Sequence, residues 1–372
     1  MKNSSPKVAI VCDWLTGFGG AERVVLELHK LYPDAPIYTS QYDPSKLDWF
    51  LDADVRTTWL QKLPKSLKKF LPVLRAWTFS RLDLSDYDLV ISSSGAEAKG
   101  VKTGKNTTHI CYCHSPTHYY WIRYDEYVQN PGFPRGFNWL AKIGLRVLVG
   151  PLRRWDRHAA KQPDYMIANS THTANMIKRF YRRDATVVFP PVETSRFKIT
   201  GKPELRHGLV VAGRQTPYKR IDLAVEACNE LNVPLIVIGN GPDHKNLEKI
   251  ANRNITFLTN VNDQDIVRHF QSALGFIMPN MDDFGIVAVE ALAAGTPVIA
   301  YKKGGSLDYM DEGKTGVFFE RQTAASLRVA LESALSKNFD YEAIARHAEK
   351  FSVASFRENM RQTIAEFTKK VS

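Results

Sequence analysis

Two basic residues in the second half of the chain stand where a phosphate group could be bound. Arg214 and Lys219 follow the predicted strand Gly208–Gly213, so both lie just beyond its carboxyl end. Open α/β sheets bind their ligands at this end of their strands. A planar guanidinium and a mobile ammonium together suit a diphosphate. The motif therefore predicts an anion site, whereas the neighbouring Arg220 is interpreted as a solvated helix residue.

An acidic motif later in the chain supplies the groups that could hold a sugar. Asp282 and Asp283 lie in a loop after a predicted strand, and Glu290 lies on the helix that follows. A carboxylate can accept two hydrogen bonds from a ribose diol, and a loop acid with the N–H groups of residues 284–286 can hold sugar hydroxyls. Asp282 and Asp283 also fit as N-cap residues of the helix. Because two acids are available, both interpretations stay open.

The first half carries two further motifs at predicted strand ends. A glycine-rich turn, Gly17–Arg23, follows the strand Lys7–Cys12, and such a turn lets backbone N–H groups and a helix N-terminus approach a phosphate. A plain strand-to-helix turn is an equally good interpretation. His114 follows the strand Thr107–Cys113, and the aromatic residues after it suit contacts with a carbohydrate. A lone histidine is commonly structural, so its place at a strand end is what favours a functional role.

Strands and helices that could position these motifs alternate along the chain. Short β-branched runs are followed by longer amphipathic segments, which is typical of parallel sheets built from βαβ units. The series occurs twice, so we predict two doubly wound α/β domains. The predicted strands are Lys7–Cys12, Pro36–Ser40, Asp88–Ser93, Thr107–Cys113, Asp164–Asn169, Ala185–Phe189, Gly208–Gly213, Pro234–Gly239, Ile255–Thr259, Gly275–Pro279 and Pro297–Ala300.

A cluster of prolines and polar residues after Phe189 marks the boundary between the two domains. We predict an N-terminal domain of residues 1–197 plus 350–372. The C-terminal domain then comprises residues 198–349. Phe356, Met360, Ile364 and Phe367 share one face of a closing helix, which could pack back on the first domain.

The charge of the chain is concentrated in its first half. The 372 residues carry a net charge of +11; residues 1–200 hold 29 basic and 18 acidic residues, and residues 201–372 hold 21 of each. Such asymmetry indicates that one domain meets an anionic surface or substrate. The composition excludes a disordered chain, and no run is long and apolar enough to cross a bilayer. No secretory signal is expected from the short polar N-terminus, and four sparse cysteines indicate a reducing compartment.

Two basic segments also contain many aromatic and aliphatic residues. Trp59–Leu82 contains six basic residues, Arg75 among them, and no acid, and Gly132–Lys161 contains seven basic residues against Asp156 alone. Basic amphipathic stretches suit the surface of an anionic membrane. The alternative is a buried helix with a solvated basic face. The predicted membrane residues are Lys62, Lys65, Lys68, Lys69, Phe70 and Trp77.

Taken in order, the motifs resemble family 4 of the retaining glycosyltransferases. The resemblance implies the GT-B fold, an α/β architecture with two Rossmann-like doubly wound domains facing across a cleft. It also implies that the N-terminal domain, residues 1–197 plus 350–372, faces the acceptor and the membrane, and that the C-terminal domain, residues 198–349, binds the nucleotide-sugar. Among the members, the sequence is most similar to bacterial mannosyltransferases of O-antigen and polysaccharide assembly. The motifs that carry it are Gly19-Gly20-Ala21-Glu22-Arg23, His114-Ser115-Pro116, Asn169-Ser170, Pro190-Pro191-Val192, Gly213-Arg214, Pro217-Tyr218-Lys219-Arg220, Ile238-Gly239-Asn240-Gly241-Pro242, and Phe284-Gly285 through Gly295-Thr296-Pro297.

The resemblance also implies roles for individual residues. Glu290 binds the ribose, Arg214 and Lys219 hold the diphosphate, and His114 lies beside the transferred sugar. The first acid of the family's Glu-x7-Glu is Asp282 in this chain, one methylene shorter, so that the loop moves closer, a water bridges or Asp283 substitutes. The implied catalytic residues are His114, Arg214, Lys219 and Asp282. The implied donor-binding residues are Gly19, Gly20, Arg214, Lys219, Asp282, Asp283, Phe284, Gly285, Ile286 and Glu290. The implied acceptor residues are His118, Tyr119 and Trp121, and position 118 is often Arg in related enzymes.

These roles lead to an expected function. We expect a retaining glycosyltransferase that moves a hexose, mannose from GDP-mannose in the first instance, to a lipid-linked (polyprenyl-diphosphate) saccharide. The enzyme would act as a peripheral protein on the inner, cytoplasmic face of an anionic membrane, with no cofactor or metal. The alternatives are the same fold with a UDP-hexose donor and a basic nucleic-acid-binding protein. No Asp-x-Asp metal pair follows a predicted strand, and the second alternative leaves Arg214, Lys219 and Glu290 without a purpose.

Overall fold

The computed structural model describes residues 6–64, 72–129, 138–197, 199 and 206–369. The chain forms two compact units, which we describe separately: unit 1 comprises residues 1–189 and 357–372, and unit 2 comprises residues 190–356. In the described residues, each unit is built around a parallel sheet flanked by helices. The predicted two doubly wound α/β domains are therefore confirmed.

The sheet of unit 1 has seven parallel strands within the described residues. They are β1 (Val8–Cys12), β2 (Ile37–Thr39), β3 (Val55–Thr57), β4 (Leu89–Ser94), β5 (Thr108–Cys113), β6 (Tyr165–Ala168) and β7 (Thr186–Val187). The helices are α1 (Gly20–Leu31), α2 (Pro72–Phe79), α3 (Tyr124–Gln129), α4 (Asn138–Ala159) and α5 (Thr171–Tyr181). The strand order is β3-β2-β1-β4-β5-β6-β7. Strands β1, β4 and β5 are buried along their whole length, because helices cover both faces of such a sheet.

Unit 2 repeats this arrangement with six parallel strands in the part that the structure describes. They are β8 (Leu209–Ala212), β9 (Leu235–Ile238), β10 (Ile255–Leu258), β11 (Gly275–Met278), β12 (Val298–Tyr301) and β13 (Gly316–Phe319). The helices are α6 (Ile221–Leu231), α7 (His244–Ile250), α8 (Asp263–Ser272), α9 (Ile286–Ala293), α10 (Ser306–Tyr309), α11 (Ala324–Leu335) and α12 (Tyr341–Ala348), with α13 (Val353–Lys369) following. The strand order is β10-β9-β8-β11-β12-β13, the Rossmann order.

The strand order places a ligand-binding crevice in each sheet. Consecutive strands run outward in one direction from β1 and in the other from β4, so the order reverses between these two neighbours. In unit 2 the reversal lies between β8 and β11. Loops diverge at such a point and leave a crevice at the carboxyl ends of the strands. The residues that follow β1, β4, β8 and β11 are therefore the ones that each fold presents to a ligand.

The unit boundaries lie a few residues from the sequence-based division at 197/198 and 349/350. Residues 190–197 belong to unit 2, because Phe197 stacks on Phe270 at 5.7 Å between ring centroids and Val192 donates its N–H to Phe351. Helix α13 begins in unit 2 and continues in unit 1 from Arg357. Its apolar face is buried as predicted, and in unit 1 Phe367 stacks on Tyr165 at 4.1 Å.

In the described part of the chain, no helix combines the length and the apolar character needed to span a bilayer.

Candidate functional site

A cavity of about 190 Å³ lies at the crevice of unit 2. It is lined by residues that follow β8, by residues that follow β11 and by the start of α9, as the topology requires. Five of the residues predicted from the sequence meet there: Arg214, Lys219, Asp282, Gly285 and Ile286. The remaining lining residues are Val211, Ala212, Gly213, Ile221, Ile277, Met278, Pro279, Asn280 and Val287. A cationic pair and a carboxylate thus share one small crevice.

Asp282 has a separate partner for each of its carboxylate oxygens. Its Oδ2 lies 2.5 Å from Nζ of Lys219, and its Oδ1 accepts a hydrogen bond from the side-chain amide of Asn280 at 2.7 Å. The side chains of Lys219 and Asp282 are about four-fifths buried, so solvent screens their attraction less than it would screen a surface pair. Of the two acids considered from the sequence, Asp282 rather than Asp283 lines the cavity.

Helix α9 carries the third acid of the predicted site. The helix begins at Ile286 with Gly285 as its N-cap and no side-chain cap, so the N-cap interpretation of Asp282 and Asp283 is wrong. Glu290 is half-buried and lies one turn after the cavity-lining Ile286 and Val287, on the same helical face. Its place on α9 is therefore compatible with the predicted ribose contact.

Gly285 allows the backbone to turn sharply into α9. Its φ is +99°, a conformation that favours glycine, and a Cβ there would lie 3.1 Å from the hydroxyl of Tyr309. The preceding Phe284 is buried and packs edge-on against Tyr309 at 5.7 Å. The contribution of Phe284 to a ligand is therefore limited to its backbone.

The loop that carries Arg214 and Lys219 is packed closely against a second glycine-containing loop. A Cβ on Gly241 would lie only 2.1 Å from the carbonyl oxygen of Gln215, so this approach requires glycine. The Gln215 side chain donates to the carbonyl of Gly239 at 2.7 Å. These contacts fix the backbone of the loop, while Arg214 itself is exposed at the cavity.

Unit 1 has a cavity of about 320 Å³ at the corresponding crevice. It is lined by residues after β1 and β4, by the first turns of α1 and by the segment after β5. The lining residues are Cys12, Asp13, Trp14, Ala21, Glu22, Val25, Ser93, Gly95, His114, His118, Tyr119, Arg123 and Tyr127. The predicted His114, His118 and Tyr119 are therefore brought together. Asp13, Trp14 and Ser93 received no role from the sequence, although they end or directly follow the two strands at the switch point.

His114 is held in a fixed orientation in this cavity. Its Nε2 lies 2.8 Å from the hydroxyl of Ser93, and its ring packs edge-on against Tyr112. The buried carboxylate of Asp13 accepts backbone N–H bonds from Gly95 at 2.8 Å and Ala98 at 2.7 Å. Asp13 thereby fixes the loop that directly follows β4, the strand whose Ser93 contacts His114.

The predicted acceptor residues separate into two groups. His118 and Tyr119 line the cavity, and the hydroxyl of Tyr119 donates to the buried Glu97. Trp121 does not line it. The indole N–H of Trp121 donates to Asp156 at 2.7 Å and the ring stacks on Phe180 at 5.1 Å. The structure thus corrects the prediction for Trp121, whose role is in the packing of unit 1.

Gly19 and Gly20 lie at the start of α1, next to the cavity-lining Ala21 and Glu22. Gly19 is the N-cap residue, and a Cβ there would lie 2.6 Å from a carboxylate oxygen of Glu22. The carboxylate of Glu22 therefore occupies the positive end of the helix dipole. This carboxylate would repel an anion at the same place. The phosphate-binding role of the two glycines therefore stays a prediction.

The predicted membrane residues are covered only in part by the structure. Lys62 is exposed and Trp77 is half exposed, with the guanidinium of Arg81 over its ring. Lys65, Lys68, Lys69 and Phe70 lie outside the described residues. Arg75, which the sequence suggested as part of this basic surface, is instead buried. Its Nε lies 2.8 Å from the buried carboxylate of Glu97.

Two family models match the chain, one on each half. The model described as Glycosyltransferase Family 4 matches residues 18–196, and the model described as Glycosyl transferases group 1 matches residues 192–351. The chain therefore contains GT-B glycosyltransferase domains of the family 4 and group 1 types. At this level the resemblance inferred from the motifs is confirmed.

Curated relatives are similar to part of the chain. The D-inositol 3-phosphate glycosyltransferase of Streptomyces avermitilis is 32% identical over 227 residues, which are 50% of this chain and 48% of that protein. The protein of the same name from Rhodococcus jostii is 28% identical over 233 residues, 53% of this chain and 51% of that protein. The chain thus spans about half the length of these relatives.

Solved structures resemble the whole fold. HepE of Anabaena in complex with UDP has a TM-score of 0.67 and 17% identity, and the match covers 96% of this chain and 100% of that one. Sucrose-phosphate synthase from Thermosynechococcus elongatus has a TM-score of 0.71 and 15% identity, and covers 98% of this chain. At these identities the likeness shows the fold alone, which is GT-B.

Proposed function

We propose that the protein is a retaining hexosyltransferase that uses a nucleotide-sugar donor. The observation that carries this proposal is the crevice of unit 2, where Arg214, Lys219 and Asp282 line one cavity at the switch point of a Rossmann-like sheet. Both family models support the same class of activity. The proposal assigns the diphosphate to the two cations and the ribose to Glu290.

The two cations are proposed to stabilise the leaving group. Breaking the bond between the sugar and the diphosphate leaves negative charge on phosphate oxygens and positive character on the sugar ring. Arg214 and Lys219 stabilise that negative charge as it develops, which lowers the barrier. For retention without a carboxylate nucleophile, the acceptor attacks from the face of the leaving group, and the departing phosphate takes the proton of the acceptor. Asp282 and His114 then position hydroxyl groups.

We propose GDP-mannose as the donor, with a UDP-hexose as the alternative. The similarity to mannosyltransferases favours the first, and the fold shared with a UDP-bound structure is compatible with the second. Thermal-shift measurements with GDP-mannose, UDP-glucose, UDP-galactose and UDP-N-acetylglucosamine are expected to show one stabilising donor. Hydrolysis of that donor should continue in the presence of excess chelator. Complete loss of hydrolysis that added Mn²⁺ restores would contradict transfer without a metal. If no nucleotide-sugar stabilises the protein, the proposed function is wrong.

We propose that the cavity of unit 1 binds the acceptor, a lipid-linked saccharide. Three aromatic residues, Trp14, Tyr119 and Tyr127, line this cavity, and aromatic side chains suit contacts with a carbohydrate. A second candidate is an inositol phosphate, because the curated relatives are named for that substrate and because His118 and Arg123 line the cavity. Transfer assays with a polyprenyl-diphosphate saccharide and with inositol 3-phosphate, each with the stabilising donor, distinguish the two.

We also propose that unit 1 lies on the inner face of an anionic membrane. Trp139, Ile143 and Val147 are spaced four residues apart on α4 and are 60%, 51% and 67% exposed, so they form one apolar stripe. The basic Lys142 and Arg146 lie between them in sequence. An apolar stripe flanked by basic groups is suited to the headgroup boundary of anionic lipids.

Changing either basic or apolar groups of unit 1 is expected to weaken binding to anionic vesicles. Neutralising Lys62, Lys65, Lys68 and Lys69 should reduce vesicle partitioning at least about 100-fold, because each basic group near such a surface contributes about 1 kcal/mol. Trp139→Ser with Val147→Ser should also reduce it. Co-sedimentation measures both effects, with Val329→Ser of unit 2, a residue 58% exposed, as the matched control. Unaltered sedimentation would refute the membrane role, and tighter binding to RNA than to vesicles would favour the nucleic-acid alternative.

A further inference from the structure

Asn280 is a buried polar residue in the unit 2 cavity whose role the sequence did not suggest. It directly follows β11 after Pro279, is only 3% exposed, and lines the cavity beside Asp282. Its amide nitrogen donates to Oδ1 of Asp282 at 2.7 Å. A buried amide beside the charged pair affects the geometry of the pair directly, because hydrogen bonds to ionised groups are stronger than neutral ones.

The pair of Lys219 and Asp282 lies where the diphosphate is proposed to bind. Nζ of Lys219 is 2.5 Å from Oδ2 of Asp282, so the cation proposed for the diphosphate is already neutralised by a carboxylate. A diphosphate would bring additional negative charge into a cavity that is screened only in part. Under the proposed function, Lys219 would exchange Asp282 for a phosphate oxygen, and Oδ2 of Asp282 would then face the cavity without its cation.

The other contacts of Asp282 are unaffected by this exchange. Its carbonyl oxygen accepts the N–H of Gly305 at 2.9 Å, which fixes the backbone. Its Oδ1 keeps the amide of Asn280, which fixes the plane of the carboxylate. Oδ2 is then held in place as an acceptor for a hydroxyl of the donor sugar.

We infer that Asn280 is a positioning residue that keeps Asp282 directed at the donor sugar once Lys219 has moved to the diphosphate. This inference rests on the proposed function of the same cavity. The amide gives the shorter aspartate a fixed orientation in the cavity. When a nucleotide without sugar binds, Asp282 competes with its phosphate groups for Lys219.

The test compares the affinity for a nucleotide-sugar with that for the bare nucleoside diphosphate. Calorimetric Kd values are measured for GDP with GDP-mannose, and for UDP with UDP-glucose, UDP-galactose and UDP-N-acetylglucosamine. In Asn280→Ala, the preference for the nucleotide-sugar over its diphosphate is expected to fall about tenfold, the effect of one hydrogen bond to a charged group. Affinity for the bare diphosphate stays near that of the wild type. In Asp282→Asn, the bare diphosphate should bind more tightly, because the competing carboxylate is gone.

Two further variants keep the test decisive. Asn280→Asp has the same shape and replaces the donor by a second carboxylate, so it should lose the preference even if Asn280→Ala folds poorly. Asn246→Ala is the matched control, because Asn246 makes the same kind of amide bond to Asp243 at 2.9 Å on the exposed surface of unit 2. An unchanged preference in both Asn280 variants, or equal weakening of both ligands, would overturn the inference alone. Failure of all these nucleotide-sugars and of both diphosphates to bind the wild type would overturn the proposed function and the inference together.

Discussion

Replacing Lys219 with alanine is expected to lower kcat for sugar transfer by a factor of about 10²–10³, the usual effect of removing one preorganised group that stabilises transition-state charge. The ammonium of Lys219 lies in the cavity with its side chain about four-fifths buried, where an electrostatic contact is stronger than in water. Its benefit grows as the phosphate becomes the leaving group, so kcat should fall more than KM rises. Steady-state kinetics with the stabilising donor measure both constants.

The matched control for this variant is a lysine–carboxylate pair on the surface of the same unit. Lys302 lies 2.6 Å from Glu320, and their side chains are 44% and 69% exposed. Lys302→Ala removes the same chemical group from outside the cavity and should leave turnover near that of the wild type. Turnover of Lys219→Ala within about threefold of the Lys302→Ala value would remove Lys219 from the mechanism.

Much of the unit 2 site could be predicted because its residues follow strands directly. Arg214 comes straight after Gly213, the residue that follows β8, and Asp282 comes shortly after β11, so the rule that ligands bind at strand ends places both in one crevice. The pairing of Lys219 with Asp282 could not be predicted, because it joins loops 63 residues apart whose approach depends on the packing of the whole sheet. Asn280 was overlooked for the same reason.

The parts of the fold that the sequence did not predict are short edge strands. Val55–Thr57 is exposed or half-buried and has no apolar alternation, and Gly316–Phe319 follows a turn rich in polar residues. Both lie at the edge of a sheet. There, pairing with the neighbouring strand stabilises residues whose intrinsic β-propensity would not predict a strand. The buried Arg75 was assigned to a basic surface because its partner, Glu97, is 22 residues away and the sequence alone does not indicate their contact.

A second large effect is expected on stability, at a buried ion pair in unit 1. Nζ of Lys99 lies 2.7 Å from Oδ1 of Asp156, and both side chains are at most 1% exposed. Burial alone would lower the pKa of Lys99, but attraction to Asp156 and Tyr181 holds that pKa well above its ordinary value. Lys99→Met leaves the carboxylate buried without its cation and should lower the free energy of unfolding by about 3–5 kcal/mol.

Urea unfolding followed by tryptophan fluorescence measures this loss, with a surface pair as the control. Arg328 lies 2.7 Å from Glu332 on α11, and their side chains are 38% and 47% exposed. Arg328→Ala should change the free energy of unfolding by less than about 1 kcal/mol, as is usual for exposed pairs. A Lys99→Met protein that unfolds at the same urea concentration as Arg328→Ala would contradict the assignment of Lys99 to a stabilising network.

Removing both charges distinguishes an isolated pair from a network. Asp156 also accepts hydrogen bonds from Thr117 at 2.9 Å, Trp121 at 2.7 Å and Tyr181 at 2.8 Å. The double variant Lys99→Met with Asp156→Leu contains no buried charge but leaves these three donors without their acceptor, so it should recover only part of the lost stability. Full recovery of the free energy of unfolding would show that only the ion pair contributes.

The double variant should also bind the acceptor more weakly, even where it is folded. The segment from Thr117 to Trp121, which Asp156 holds, carries His118 and Tyr119 into the unit 1 cavity.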